Sequence, residues 1–263
     1  MVIATHNLMH GLRLPGLLLG YAALRERIGL HVLCVQENAA SDGGLNGDRI
    51  AAALGGVYAH CCVPAHPGLG IVYDRALFEV TEAALVPLPR LARLSWFEKT
   101  YIVGGRTRPK YAQLVALRPR GGGDGFAVAN FHFDTAGDNA HRRAQMAAVA
   151  DALAARGWTD RVAACGDTNA FAWRRGAQLA ALRALLDPIA VHGAVDPGTA
   201  PTHWFARQRE PKLPHRIGVA LGALGLDLPR RYDVVCTNLA IAGRGQLATP
   251  DSDHDLVWAQ VRT

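Results

Sequence analysis

Apolar residues along the chain fall into short continuous or alternating runs. Between these runs lie longer stretches in which they recur every three or four positions. Residues 2–8 predict a strand. Leu17, Tyr21, Leu24 and Ile28 share one helical face, and Gly29 marks the end of that helix. Residues 31–36 predict the next strand, and 70–73 and 78–86 predict two more, joined by a turn at Asp74-Arg75. Residues 111–117 and 126–133 flank a run of glycines and predict an antiparallel hairpin. The clearest helix covers 139–156, where Met146, Val149, Ala150 and Leu153 form one stripe and Gly157 stops it. A strand at 161–165, a helix around Leu179, Leu182 and Leu186, and late strands at 232–237 and 256–261 complete the pattern. Strands and helices alternate over the whole length, with hairpins as well as crossovers. The expected class is therefore α/β with mixed sheets, not a purely parallel doubly wound fold. Residues 87–109 and 199–231 show no clear period. Long irregular segments in compact domains tend to be functional, with surface decoration as the alternative.

The chain has 263 residues and is 50% hydrophobic. That is enough for a large core and too short for two generous domains, so a single domain over 1–263 is expected. Charged residues are 19% and aromatics 7%, which is a globular composition. A net charge of +6 favours polyanionic partners, although the basic residues are scattered, and an ordinary basic enzyme is an equal reading. Five cysteines are present. Cys34, Cys165 and Cys236 sit in apolar runs as small hydrophobes, and the adjacent Cys61-Cys62 lacks a partner motif for zinc. This usage suits a reducing cytoplasm. No segment is apolar for a membrane-spanning length, and no signal-peptide pattern is visible. Oligomeric state stays open.

Several apolar strands run into a polar residue that phosphoryl chemistry could use. Asn7 ends the first strand and Glu37 ends the second, in Val35-Gln36-Glu37-Asn38. His132 lies in Asn130-Phe131-His132. Asp167 and Asn169 lie in Gly166-Asp167-Thr168-Asn169, Asp233 in Tyr232-Asp233-Val234, and Asp253 and His254 in Ser252-Asp253-His254. Ligands collect at strand ends, and acids resist burial there unless paired or metal-bound. Each residue also has an ordinary explanation as a turn former, a cap or a satisfied core histidine. The case lies in the joint occurrence in this order.

In that order the motifs resemble the endonuclease/exonuclease/phosphatase superfamily, which includes DNase I-like nucleases, apurinic endonucleases, neutral sphingomyelinases and inositol phosphatases. The resemblance runs from residue 5 to 258, and Gly-Asp-x-Asn and Ser-Asp-His are its most specific parts. It implies a four-layer α/β/β/α sandwich with two mixed, largely antiparallel sheets. It also implies Glu37 as the principal Mg²⁺ ligand (Mn²⁺ as a substitute), with Asn7 and Asp253 nearby. Asp167 and Asn169 would position the attacking water and the phosphate. His254 would contact the phosphate, oriented by Asp233, and His132 would act as proton donor or transition-state stabiliser. Arg106, Arg108 and Trp204 are candidate substrate contacts, in a wider set of loop basics (Lys110, Arg142, Arg143, Arg174, Arg175) and aromatics (Trp96, Phe97, Trp173). Apurinic endonucleases often carry an acid shortly after the first-strand Asn, whereas Leu8, Met9 and His10 follow Asn7 here. Asp255, after His254, has no evident role in the sequence. The expected activity is hydrolysis of a phosphodiester by an activated water, with a nuclease as one option. The alternatives are a phosphatase or phosphodiesterase on a small metabolite or lipid headgroup, and a non-catalytic binding module on the same fold.

Overall fold

A computed structural model describes residues 1–102, 108–190, 192–193, 198–207, 216–217, 219–220, 224 and 229–262. Its first sheet contains β1 (Val2–Asn7), β2 (Val32–Gln36), β3 (Tyr58–Cys61), β4 (Leu69–Asp74), β10 (Ile241–Leu247) and β11 (Leu256–Val261), in the order β10-β11-β1-β2-β4-β3. Its second contains β5 (Phe78–Pro87), β6 (Tyr111–Pro119), β7 (Phe126–His132), β8 (Val162–Asp167) and β9 (Asp233–Thr237), in sequence order. Only the β1–β2 and β7–β8 pairs are parallel; the others are antiparallel. The expected 111–117/126–133 hairpin is β6–β7. The turn at Asp74 joins strands that belong to different sheets.

Among the described residues, helices α1 (Leu14–Ile28), α2 (Asn46–Leu54), α3 (Asn139–Ala154) and α4 (Arg175–Ala190) close the outer faces. Helix α1 stops where Gly29 takes a left-handed φ of 64°, and Asp138 caps α3 by accepting from the His141 N–H. Leu17, Tyr21, Leu24, Ile50 and Leu54 cover Val2, Ala4, Leu33 and Val35 on one side. Met146, Val149, Leu153, Leu182 and Ile189 cover Ala129, Phe131, Val162, Ala164 and Val234 on the other. Between the sheets, Ile3, Val32, Cys34 and Ile71 meet Val115, Val128, Ala163, Cys165 and Val235. The layers are thus α/β/β/α, each interface driven by apolar burial.

Strand parity sets where the polar residues go. Side chains alternate faces along a strand. In β1, β2, β7, β8 and β9 the residues facing the other sheet are Ile3; Val32 and Cys34; Val128; Ala163 and Cys165; and Val235. The same phase carries Thr5 and Asn7, Gln36, Asn130 and His132, Asp167, and Asp233. The polar strand-end residues therefore occupy the inter-sheet face at one end of the sandwich. Just beneath them a buried amide bridge joins the sheets. Gln36 Nε2 donates to Asn130 Oδ1 at 2.7 Å, and Asn130 Nδ2 donates to the carbonyls of Val35 and Gly70 at 3.1 and 2.9 Å.

Candidate active site

Register places three candidate residues side by side. His132 pairs with Asp167 across β7–β8, and Asp167 pairs with Asp233 across β8–β9. Close approach of β8 to β7 depends on Gly166, whose φ is +152°; a Cβ there would lie 2.0 Å from the Phe131 carbonyl oxygen. Across the gap, Asn7 from β1 donates from Nδ2 to Asp167 Oδ2 at 3.1 Å. The same oxygen faces His132 Nε2 at 3.6 Å and His254 Nε2 at 3.8 Å. Asp167 Oδ1 accepts the Asn169 N–H at 2.9 Å, while Asn169 Nδ2 donates to the Phe133 carbonyl at 3.1 Å. His254 Nδ1 lies 2.8 Å from Asp233 Oδ2. The loop before β11 is pinned by Ser252, whose hydroxyl donates to the Asn7 carbonyl at 2.8 Å and accepts the His254 N–H at 3.1 Å.

Burial and charge act against each other here. Burial disfavours a charged His254 ring, but the carboxylates of Asp233, Asp253 and Asp167 overcome it and hold the ring well above 6.5. Burial likewise pushes Asp167 and Asp253 up. His254 and His132 reverse this at Asp167, and His254 and His203 reverse it at Asp253, so both acids sit below the usual 3.8. At Asp233 burial wins and its pKa is raised. His132 goes the other way: burial and then the Lys110 charge lower it to about 3, so this ring is neutral at ordinary pH.

Backbone strain concentrates at the same place. Among the described residues five non-glycines have positive φ; Met9 (48°), His10 (55°), Glu37 (55°) and Asn169 (49°) all belong to this end, and Arg161 is the other. Such conformations cost energy and persist only where surrounding structure imposes them. Glu37 stands one residue past β2, and its Oε2 lies 3.5 Å from His10 Nε2.

Two groups among the described residues bring potential ligand atoms within 4.8 Å of one another: His203, Asp253 and His254, and Asp167, Asp233 and His254. Glu37 belongs to neither. Asn7 Oδ1 accepts the Met9 N–H at 3.1 Å and, as a carbonyl oxygen, has a second lone pair. Carboxylates from Glu37 and Asp253 with an amide oxygen are the hard donors that Mg²⁺ or Mn²⁺ takes, so the residues present fit such an ion.

Of the expected substrate contacts, Arg108 is exposed and Arg106 lies outside the described residues. Trp204 is committed elsewhere: its Nε1 donates to Asp255 Oδ2 at 3.2 Å and its ring lies under Arg207. Arg142 is a structural residue, buried and donating to the carbonyls of Asp134, Thr135 and Gly137. The aperiodic 199–231 segment is partly built into the site. The Trp204 N–H donates to Asp253 O at 2.8 Å, the Asp255 N–H to Thr202 O at 2.6 Å, and His203 bridges both Arg230 and His254. Lys212 and His215 of that segment lie outside the described residues. The pairing puts His203, which the sequence did not single out, against the His254 ring at 4.7 Å between centroids and 3.5 Å from Asp253 Oδ2. No helix among the described residues is long and apolar enough to cross a membrane.

No family model and no curated protein matches this sequence. Solved structures do. TDP2 from D. rerio, complexed with a single-strand DNA product, superposes with a TM-score of 0.67 at 12% identity, covering 100% of this chain and 99% of that one. An endonuclease/exonuclease/phosphatase from Bacteroides vulgatus gives 0.65 at 15% identity, covering 99% and 98%. The chain has the endonuclease/exonuclease/phosphatase superfamily fold. A mannosyl-6-phosphatase from Bacteroides thetaiotaomicron gives 0.62 at 14% identity, with each chain covered completely. At these identities the likeness is one of fold.

Proposed function

We propose that this single-domain chain is a divalent-metal-dependent phosphoesterase that hydrolyses a phosphodiester by direct attack of water. The observation that carries this reading is the Asp167 Oδ2 oxygen, on which Asn7, His132 and His254 converge while Asp233 backs His254. A phosphodiester resists nucleophiles because its oxygens are already negative. A site must therefore supply positive charge where the phosphorane gains negative charge, and a base that aligns water. His254 is the fixed cation, with Asp233 holding its charge and its orientation. Asp167, kept ionised by its donors, orients and deprotonates the water. Asn7 and Asn169 hold that carboxylate in place. Neutral His132 keeps an N–H to donate toward the leaving oxygen. Glu37, Asn7 and Asp253 would hold Mg²⁺ or Mn²⁺, which supplies Lewis-acid charge at the phosphate when bound.

A nucleic-acid strand is the substrate class best supported. Trp96 and Trp173 are 72% and 79% exposed, and Phe97 is exposed beside Trp96. Both ring-bearing loops are tied to the start of α3: Glu98 accepts the Gly137 N–H at 2.7 Å, and Asn139 Nδ2 donates to the Phe171 carbonyl at 2.8 Å. Exposed rings, one of them followed in sequence by the exposed Arg174, suit base stacking along a phosphate backbone. The test is a panel of single- and double-stranded DNA, RNA, a chromogenic phosphodiester and sugar phosphates, each with Mg²⁺, Mn²⁺ or EDTA. Glu37→Ala should fold and lose most turnover. Undiminished activity in excess EDTA would remove the metal from the reading.

A further inference from the structure

Three consecutive residues after Asn7 have left-handed backbones: Met9, His10 and Gly11, with φ of 48°, 55° and 68°. Glycine takes this conformation freely, but Met and His do not. The turn is closed by the Gly11 N–H on Leu8 O at 2.8 Å and tied to the site by the Met9 N–H on Asn7 Oδ1 at 3.1 Å. A Cβ on Gly11 would lie 2.6 Å from the amide of buried Asn46, and Asn46 Nδ2 reaches the Glu37 carbonyl at 3.4 Å. One buried amide thus braces both the His10 turn and the Glu37 backbone, which is itself left-handed at 55°. What this arrangement delivers is the His10 imidazole, half-exposed, with Nε2 3.5 Å from Glu37 Oε2.

A simple ion pair does not account for it. Exposed pairs contribute little and form from unstrained loops. The separation of 3.5 Å also exceeds a direct N–H···O bond. Two ligands each about 2.1–2.2 Å from one cation, subtending about 90–110°, stand roughly 3.0–3.6 Å apart. We propose that His10 is a direct nitrogen ligand of the divalent cation that Glu37 holds, and that it biases the site toward Mn²⁺ over Mg²⁺. Mg²⁺ keeps to oxygen donors and water, whereas a first-row transition metal gains from an imidazole. The proposal rests on the metal-dependent reading above.

The test is direct Mn²⁺ binding, read by the EPR signal of the free ion, together with pulsed EPR for nitrogen coupling to bound Mn²⁺. In the wild type, nitrogen coupling should be present. It should vanish in His10→Ala and persist in His203→Ala and His132→Ala. Mn²⁺ affinity should fall on the order of tenfold or more in His10→Ala, as losing a group that supports a metal site does, while Mg²⁺ affinity, measured by competition, should change much less. His10→Asn keeps a residue that tolerates the left-handed backbone and should lose the coupling with an unchanged melting temperature. Coupling that survives in both His10 variants, or is absent from the wild type, overturns the proposal while leaving the Glu37 site intact. Mn²⁺ binding that is unaffected by Glu37→Gln overturns the metal site itself.

Discussion

Asp255, unexplained in the sequence, is the residue whose removal has the most calculable effect. It is 2% exposed and its carboxylate accepts from four donors. Arg207 Nη1 lies at 2.6 Å, Gln246 Nε2 at 3.1 Å, Trp204 Nε1 at 3.2 Å and the Thr249 N–H at 3.3 Å. Asp255→Ala leaves these donors unequally. Arg207, with its side chain 27% exposed, can turn to water, and Gln246 Nε2 keeps the Pro201 carbonyl at 2.8 Å. The Trp204 indole and the Thr249 amide are stranded. A buried donor without a partner costs about 1–3 kcal/mol, and breaking a buried charge pair costs somewhat more. The expected loss is therefore about 3–5 kcal/mol, or roughly 6–15 °C in melting temperature for a chain of this size. Asp255→Asn keeps the shape and half the acceptors and should lose about half as much. Urea titration at fixed pH, read by tryptophan fluorescence and far-UV circular dichroism, measures both variants. A loss below about 1 kcal/mol in Asp255→Ala would refute the account of Asp255 as the anchor. Turnover adds a second reading, since the 202–204 strip that Asp255 holds sits against His254. A destabilised variant with wild-type kcat would show that the strip is scaffolding alone.

His254→Ala should lose on the order of a hundredfold or more in kcat when assayed well below its melting temperature, which should itself fall because Asp233 is left buried without its cation, and Asp233→Asn should lose less kcat because the ring remains; near-normal kcat in a folded His254→Ala variant would remove His254 from the mechanism. Gly166→Ala should fail to reach the native fold, because its methyl would lie 2.0 Å from the Phe131 carbonyl; soluble protein with the wild-type urea midpoint would contradict the packing described. Stability should fall as pH drops from about 7.5 to 5. Burial lowers His6 to about 4 and His132 to about 3, so below about 6.5 the unfolded chain takes up protons that the folded one does not. His254, raised in the fold, works in the opposite sense, adding stability that is fully present below 6.5 and lost only as pH rises through its folded value. His132→Asn should flatten the acid slope of the urea midpoint, and an unchanged slope would mean the ring is not held neutral.

Much of this site was legible in the chain because parity and position coincide. Asn7, His132, Asp167 and Asp233 each end or begin an apolar strand, and all four have the inter-sheet phase. What the sequence did not reveal has physical causes. Residues 202–204 join 230 and 253–255 through isolated bridges too short to leave a period, so His203 went unnoticed. β3 is four residues long, and β10 reads Ile-Ala-Gly-Arg-Gly-Gln-Leu, where Gly245 lets the Trp258 ring lie flat on the strand. α2 begins Asn46-Gly47, a pair that reads as a turn, and its amphipathic face is short. The role of His10 depends on a backbone conformation that residue type alone does not announce.

The antiparallel pairing of β1 with β11, in which Val2 lies opposite Gln260, joins the first and last strands among the described residues. Asn7 and Glu37 leave the ribosome long before Asp253, His254 and the strand that seats them. Until residue 261 is free, β1 lacks a partner on one side and the candidate site lacks its fixed imidazole. A chain that stops before β11 would therefore hold Glu37 without Asp253 and His254. Translation itself would delay assembly of the candidate site until β11 has emerged.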